Sequence, residues 1–292
     1  MIWKTPLNVK DQLFKIYKKG LPRGSSVGWK NWDNHYTVLK GTTTYWGGLS
    51  SHGKSYLLFN ILRNLTKNYG WRHAIFSPEM DSADRILARL IHIHAGQEMN
   101  ANHMNEETFY RWTTELDQYY RILELADNEL TLDNFIIAIK ELMLNEEVDT
   151  ITLDPFNELR HNFKSYGGRE DKYLEDRLTE IRRIAMDYNV HINIIAHARS
   201  DKGGLRGTHP KPPSMYEFSG GEAFANKAMN VICVYRPGDD GEGNVFPYHN
   251  QTKVIFQKIK PQEVGERGEI EMHYDKEMAQ FYYLDLGQKR YA

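Results

Sequence analysis

Residues 47–55 read GGLSSHGKS, and Gly48 to Ser55 fit the pattern G-x-x-x-x-G-K-[ST]. A loop of this kind wraps backbone N–H groups and a lysine ammonium around phosphate oxygens. Lys54 is expected to reach the β and γ phosphates of a nucleotide, and the Ser55 hydroxyl to coordinate Mg²⁺. The candidate nucleotide contacts are therefore Gly48, Ser50, Ser51, His52, Gly53, Lys54 and Ser55. The middle of the loop carries two serines and a histidine where glycine is more usual. His52 is expected to point outward, with contact to a phosphate or a neighbouring subunit as the alternative.

Hydrolysis also needs an acid beside the metal and a group that activates water. Asp154 closes the apolar run DTITLDP and is the candidate second Mg²⁺ ligand. Glu79, in FSPEM after another apolar run, is the candidate general base. His197 ends NIIAHA and is placed to hydrogen-bond a γ-phosphate, the alternative being a histidine that only closes a strand. In open α/β sheets, reactive groups gather at the carboxyl ends of strands, which is where these three would meet the loop. His92 and His94 are two apart on a helical stretch and diverge, so no metal is expected there.

Those positions require strands that alternate with helices. TTTYWG leads into the loop, and KSYLLFNILRNLTKNYG reads as the helix that follows, ended by Gly70. WRHAIFSPE is a second strand, and SADRILARLIHIHAG is a helix with Ser82 as N-cap. Residues 106–120 and LDNFIIAIKELMLNEE read as helices, DTITLDP as a strand, EDKYLEDRLTEIRRIAMDYN as a long charged helix and VHINIIAHA as a strand. Alternation of this kind implies a parallel sheet. The strand-rich tail, NVICVYRP, TKVIFQKIK, GEIEMHYD and AQFYYLD, implies an antiparallel extension. Ahead of all this, residues 9–19 have Val9, Leu13 and Tyr17 on one helical face, with Gly20 and Pro22 ending the helix.

The chain has 292 residues with a net charge of −2, so global charge gives no sign of nucleic acid. Residues 1–30 carry a balance of +6 and residues 101–149 one of −9, an asymmetry that can separate a partner-binding face from a solvent face. Cys233 is the single cysteine, which excludes an intrachain disulfide, and it lies in an apolar strand-like run. No apolar run approaches the roughly 20 residues of a membrane span, and the N-terminus lacks a signal-peptide core. A reducing, cytoplasmic location with no membrane contact is expected.

In combination these motifs resemble the RecA-like helicase domain of the DnaB/Twinkle superfamily, most of all its Twinkle-type members, and a phage or bacterial source is expected. The resemblance runs over roughly residues 8–284. GLPRGSSVGWKNWD resembles the entry from linker helix to core, and GGLSSHGKS, FSPEM, ITLDPFNEL and VHINIIAHAR resemble the successive core motifs. PPSMYEFSGGEAFANKAMNVICVYRP and QKIKPQEVGERGEIEMHYD resemble its later ones. It implies an α/β RecA-like P-loop fold, with a linker over residues 1–30 and an ATPase/helicase domain over 31–292. It implies a homo-oligomeric ring, expected to be a hexamer, that uses ATP and Mg²⁺ to move 5′→3′ on single-stranded DNA, with a separate primase or other replication proteins as partners.

By the same resemblance, ATP sits between subunits, and the terminal hairpin of the neighbour inserts a lysine and an arginine finger. Here that pattern reads Lys258 and Lys260, a lysine standing where arginine is usual; Arg267 is the possible substitute. Arg236 and Tyr274 match positions near the adenine, with core packing the alternative for Tyr274. The DNA-facing loops correspond to residues 199–213 and 219–227, giving Arg199, Lys202, Arg206, Lys211, Gly220, Gly221, Asn226 and Lys227 as DNA contacts. Independently, residues 198–213 form a Gly-rich loop with a balance of +3, suited to following a phosphate chain without reading bases. The chain shows no zinc ribbon, primase-like or collar domain, so a stand-alone motor or a fragment starting at the linker is expected. A strand-exchange or clock-type RecA ATPase, or a weakly active DNA-binding scaffold, are the competing readings.

Overall fold

The computed structural model describes residues 3–80, 82–198, 211–236 and 250–292. An N-terminal helix, α1 (Lys10–Lys19), precedes β1 (Thr43–Gly47) and α2 (Lys54–Tyr69). Then come β2 (His73–Phe76), α3 (Ala83–Ala95), α4 (Glu106–Asp117), β3 (Tyr120–Leu123), α5 (Leu132–Asn145) and β4 (Thr150–Leu153). The chain continues through α6 (Glu170–Asp187), β5 (His191–Ile195), α7 (Gly221–Lys227) and β6 (Asn230–Tyr235). It ends with the meander β7 (Gln251–Lys258), β8 (Gly268–Asp275), β9 (Gln280–Asp285) and β10 (Gln288–Arg290). These strands make one sheet in the order β10-β9-β8-β7-β6-β1-β5-β4-β2-β3. From β6 to β3 every pairing is parallel, and from β6 to β10 every pairing is antiparallel.

Residue pattern explains the change of direction. β1, β2, β4 and β5 are buried at every position, as strands with helices on both faces must be. β7 alternates buried and half-buried residues, the signature of a sheet with one wetter face. The sheet separates two cores. One packs α2 and α3 with Trp29, Trp32, Tyr36 and Trp46 against Phe256, Met272 and Phe281. The other packs α5, α6 and α7 on Tyr45, Phe76, Leu153, Ile194 and Cys233. The Trp32 ring meets Trp29, Trp46 and Phe256 at centroid distances of 5.8, 6.4 and 5.2 Å, and the Trp29 indole donates to the Phe281 carbonyl. Much of the generous aromatic content is thus spent anchoring the entry segment to the antiparallel strands.

Two local expectations are corrected. The helix expected over 106–120 stops at Asp117, and Tyr120–Leu123 form the edge strand β3; a four-residue strand two residues past a helix has too little period to show. Ser82 does precede α3, but its side chain does not cap it. Instead, Glu124 accepts from the Ala83 N–H at 2.7 Å. The helix ahead of the core forms, but α1 buries none of its residues within the chain, and Leu13, Phe14 and Tyr17 are exposed. Among the described residues no helix is long and apolar enough to cross a membrane.

Three histidines are enclosed by the fold, His73 on β2, His191 on β5 and His94 on α3. His73 bonds Thr150 and Thr66, His191 bonds Thr42 and Tyr36, and His94 bonds Tyr120. Burial pulls His73 and His94 down to about 3 and His191 to about 4. All three are therefore neutral in the folded chain, whereas the unfolded chain takes up protons below the ordinary histidine value of about 6.5. Stability is present above that value and is lost as pH falls, by about 2 kcal/mol per histidine between pH 7 and pH 5. The urea midpoint should drop accordingly over this interval. His73→Gln should reduce that drop by about a third, whatever it does to stability at pH 7; equal midpoints at the two pH values would refute the account.

Candidate nucleotide site

β1 delivers the chain to a loop that only particular residues can form. Gly47 lies under the Phe218 ring, where an added Cβ would come within 1.9 Å of a ring carbon. At Gly48, with φ of +144°, a Cβ would meet the Val234 carbonyl oxygen at 2.2 Å. Ser51 and Gly53 adopt left-handed φ values of 62° and 84°. α2 then begins at Lys54 with no side-chain cap on its N-terminus, so the positive end of its dipole is left open to an anion. Lys54 is buried, and its Nζ donates to the Gly48 and Leu49 carbonyl oxygens at 3.2 and 2.7 Å. Burial pulls its pKa down to about 8, against the opposing pull of Asp154 and Glu79.

The strand order brings the other groups to this point, since β5, β4 and β2 succeed β1 across the sheet. Asp154 is buried, hydrogen-bonded to Ser55 and pushed up to about 6 by burial. Its Oδ2 is buried with no hydrogen-bond partner. One hydroxyl and one carboxylate with an unsatisfied oxygen suit Mg²⁺, which takes few protein ligands alongside phosphate and water oxygens. Glu79 and His197 face each other with Oε2 and Nε2 3.8 Å apart. Burial, then Lys54, lowers the His197 pKa, which favours the neutral ring. The backbone holds His197 on three sides: its N–H donates to Asn157 Oδ1 at 2.8 Å, its carbonyl accepts from Ser219, and the next N–H donates to Gly48. Sequence reading missed Asn157 as a site residue, although it lies within ITLDPFNEL, because the backbone it binds is 40 residues away in the chain.

His52 is a correction. It is buried, not outward-facing, and its Nδ1 accepts from the backbone N–H of Arg236 at 2.9 Å. The Arg236 guanidinium in turn lies against Gly53, 2.8 Å from where a Cβ would stand. Beyond it, the Tyr274 and Tyr56 rings meet edge to face at 5.7 Å, and the Arg89 guanidinium lies over the Tyr56 ring at 5.2 Å. Tyr274 is half-buried, and burial first, then Tyr56, pushes its hydroxyl up to about 12. Tyr56 and Arg89 also went unread in the sequence, because only the tertiary fold sets them beside Tyr274.

The remaining candidates lie elsewhere. Lys258 pairs in register with Val231 near the start of β6, whereas Gly47 is level with Cys233, so the β7–β8 turn is displaced along the strands from the loop. Lys258 Nζ donates to the Ala225 and Asn226 carbonyls at 2.7 and 3.4 Å. Its pKa is lowered by burial and by Lys260, Arg182 and Arg267, while Lys260 and Arg267 are exposed. Arg199, Lys202 and Arg206 lie outside the described residues, and Lys211 is exposed. Gly220 and Gly221 open α7 with left-handed φ, beside a cleft lined by Glu170, Asp171 and Glu222. Lys227 is ion-paired with Glu175 at 2.9 Å.

Comparison with known proteins agrees with this geometry. Over 279 residues the chain is 27 % identical to the Twinkle homolog protein, chloroplastic/mitochondrial, of Arabidopsis thaliana, covering 91 % of this chain and 38 % of that protein. The chain thus spans about two-fifths of the length of that curated relative. A solved ATPase domain superposes with a TM-score of 0.73 at 15 % identity, covering 95 % of this chain and 99 % of that one. A DnaB-like replicative helicase, described together with its interactions with primase, superposes with a TM-score of 0.73 at 14 % identity, over 98 % and 69 %. Likeness at these identities establishes the fold, a RecA-like core with antiparallel C-terminal strands. The model of the DnaB-like helicase C terminal domain matches residues 24–283. Because that match takes in the cradle and every strand from β1 to β8, the chain belongs to the DnaB-like helicase C-terminal domain family.

Proposed function

We propose that this chain is the motor of a ring-forming replicative DNA helicase, which hydrolyses ATP at subunit interfaces to move along single-stranded DNA. The observation that carries the reading is the convergence of Lys54, Ser55, Glu79, Asp154 and His197 at one end of the parallel sheet. Lys54 holds the β and γ phosphates, exchanging the Gly48 and Leu49 carbonyls for phosphate oxygens. Ser55 and Asp154 would hold Mg²⁺, which would supply charge compensation for the phosphates. Glu79 accepts the proton of the attacking water, and the neutral His197 hydrogen-bonds the γ-phosphate. Tyr274 and Arg236, with Tyr56 and Arg89, take the base.

A second copy completes the site. Lys258 and Lys260 belong to the neighbouring subunit's pocket, with Lys260 the exposed member and Arg267 beside it. The exposed apolar face of α1 packs on an adjacent subunit, and the balance of +6 over residues 1–30 matches the −9 of residues 101–149. The linker of residues 1–30 and the motor of residues 31–292 divide the labour, though Val27 and Trp29 already sit in the motor's core. Arg199, Lys202, Arg206 and Lys211, with Gly220, Gly221, Asn226 and Lys227, form the channel lining; Lys227 exchanges Glu175 for a DNA phosphate. A hexameric ring, a primase partner and a reducing intracellular location complete the proposal.

Three outcomes are expected. Single-stranded DNA should stimulate ATPase activity, and Glu79→Gln should lower the stimulated rate about a hundredfold or more, the scale of a lost general base. Rates that ignore both DNA and Glu79→Gln would refute the reading. Lys260→Ala should lower kcat about tenfold or more with nucleotide affinity within about threefold, while Lys54→Ala weakens both. Mixing the two impaired variants should raise activity above that of either alone, because each supplies the residue the other lacks; no recovery would place Lys260 outside the interface. Finally, with Asp154 raised to about 6, the Mg²⁺ site is fully formed only above that pH. Fluorescent-nucleotide titration should show Mg²⁺-dependent affinity falling about fourfold from pH 7.5 to 5.5, with the pH dependence lost in Asp154→Asn.

A further inference from the structure

His52 has no part in the chemistry just described, yet it is among the most buried polar residues of the chain. It stands at the crown of the phosphate loop, between Ser51 and Gly53, both in left-handed conformation. Its ring packs on Tyr235 at a centroid distance of 5.6 Å, and its Nδ1 accepts from the Arg236 N–H at 2.9 Å. Tyr235 and Arg236 are the last residues of β6 and the first beyond it. His52 therefore ties the loop crown to the end of the next strand through one directed hydrogen bond. That bond fixes where the chain leaves β6, and so where the Arg236 side chain starts. The guanidinium then lies over Gly53, where any Cβ would obstruct it, and faces the recess of Tyr274, Tyr56 and Arg89. Lys54 and Ser55, to which the proposed function gives the phosphates and Mg²⁺, follow Gly53 at the start of α2. A recess of aromatic edges and guanidinium groups suits a planar heterocycle.

We infer that His52 is a positioning residue for base recognition: through its hydrogen bond to the Arg236 backbone it seats Arg236 over the loop crown, so that the cradle selects a nucleoside triphosphate over triphosphate alone. The inference rests on the reading of this loop as a nucleotide site. It assigns His52 no contact with phosphate and no proton transfer. Its prediction is selective, because a residue that only supported the loop would affect every ligand of the loop equally.

Two polar substitutions separate the atoms concerned. Asparagine places an acceptor close to the position of Nδ1, and glutamine places one nearer that of Nε2. Binding of Mg–ATP and of inorganic tripolyphosphate with Mg²⁺ is measured by calorimetry on the full chain. His52→Asn should bind Mg–ATP within about threefold of the wild type, and His52→Gln should bind it about tenfold more weakly; tripolyphosphate affinity should change less than twofold in either. Arg236→Ala should reproduce the selective loss, and adding His52→Gln to it should cost little more. Unchanged ATP affinity in His52→Gln, an equal loss in His52→Asn, or parallel losses for ATP and tripolyphosphate would each overturn the inference. Failure of the wild type to bind either ligand would instead overturn the nucleotide site itself.

Discussion

Lys54 is buried at the mouth of the parallel sheet, and its ammonium group bonds the carbonyls of its own loop and feels the carboxylates of Asp154 and Glu79. A buried cation is costly unless negative charge stands beside it. Two consequences follow. The carboxylates must lie at the same end of the parallel sheet as the loop, and Asp154 after β4 and Glu79 after β2 do so, two and three strands from β1. Asp154 is in turn buried, which pushes it up to about 6, while burial pulls Lys54 down to about 8. Between these two values both groups carry charge, and an incoming polyphosphate with its cation meets a site already polarised for it. Charge burial here is a preorganised field at the expense of folding stability, the usual arrangement at a catalytic centre.

The same strand ends connect the cradle to the rest of the molecule by short paths. The His197 carbonyl accepts from Ser219, and Ala198 bridges to Phe218, whose ring covers Gly47. The segment that opens α7 is therefore fastened both to His197 and to the strand feeding the loop. At the other end of α7, Ala225 and Asn226 accept from Lys258, and Pro213 accepts from Gln257. A displacement of residues 211–227 cannot leave either His197 or the end of β7 where it was. Coupling between the two ends needs no long-range device, only the stiffness of a packed seven-residue helix.

How much of this was legible in the sequence depends on the range of the interactions involved. Lys54 was readable from the spacing of its loop, and Glu79, Asp154 and His197 from the apolar runs they follow, both of which are local patterns. The alternation of strand and helix, and its break into a meander after β6, were readable for the same reason. β3 was not: four residues crowded against α4 have no period of their own, and β2 recruits them as an edge. Asn157, Tyr56 and Arg89 were not, since their relevance comes from chain segments distant in sequence. His52 was misjudged by a sound rule wrongly applied. A side chain in a tight loop is normally turned outward, but Ser51 and Gly53 take the left-handed backbone on either side, and so His52 is carried inward onto Tyr235.

The placement of Lys258 and Lys260 argues for a second copy on geometric grounds. Lys258 is level with Val231, near the start of β6, and the cradle opens beyond the level of Cys233. The separation along β7 is roughly 10 Å at about 3.4 Å per residue, and Lys260 lies further still. Lys258 is also turned toward the end of α7 by its bonds to Ala225 and Asn226. Burial first, and then the neighbouring cations Lys260, Arg182 and Arg267, lower the Lys258 pKa. Mutual repulsion of this kind is relieved by an anion, and the sheet holds them away from the only phosphate cradle among the described motifs of their own chain. An anion brought by another subunit would satisfy them, while the two uncapped ends of the problem, open helix dipole and crowded cations, would then be closed by the same ligand.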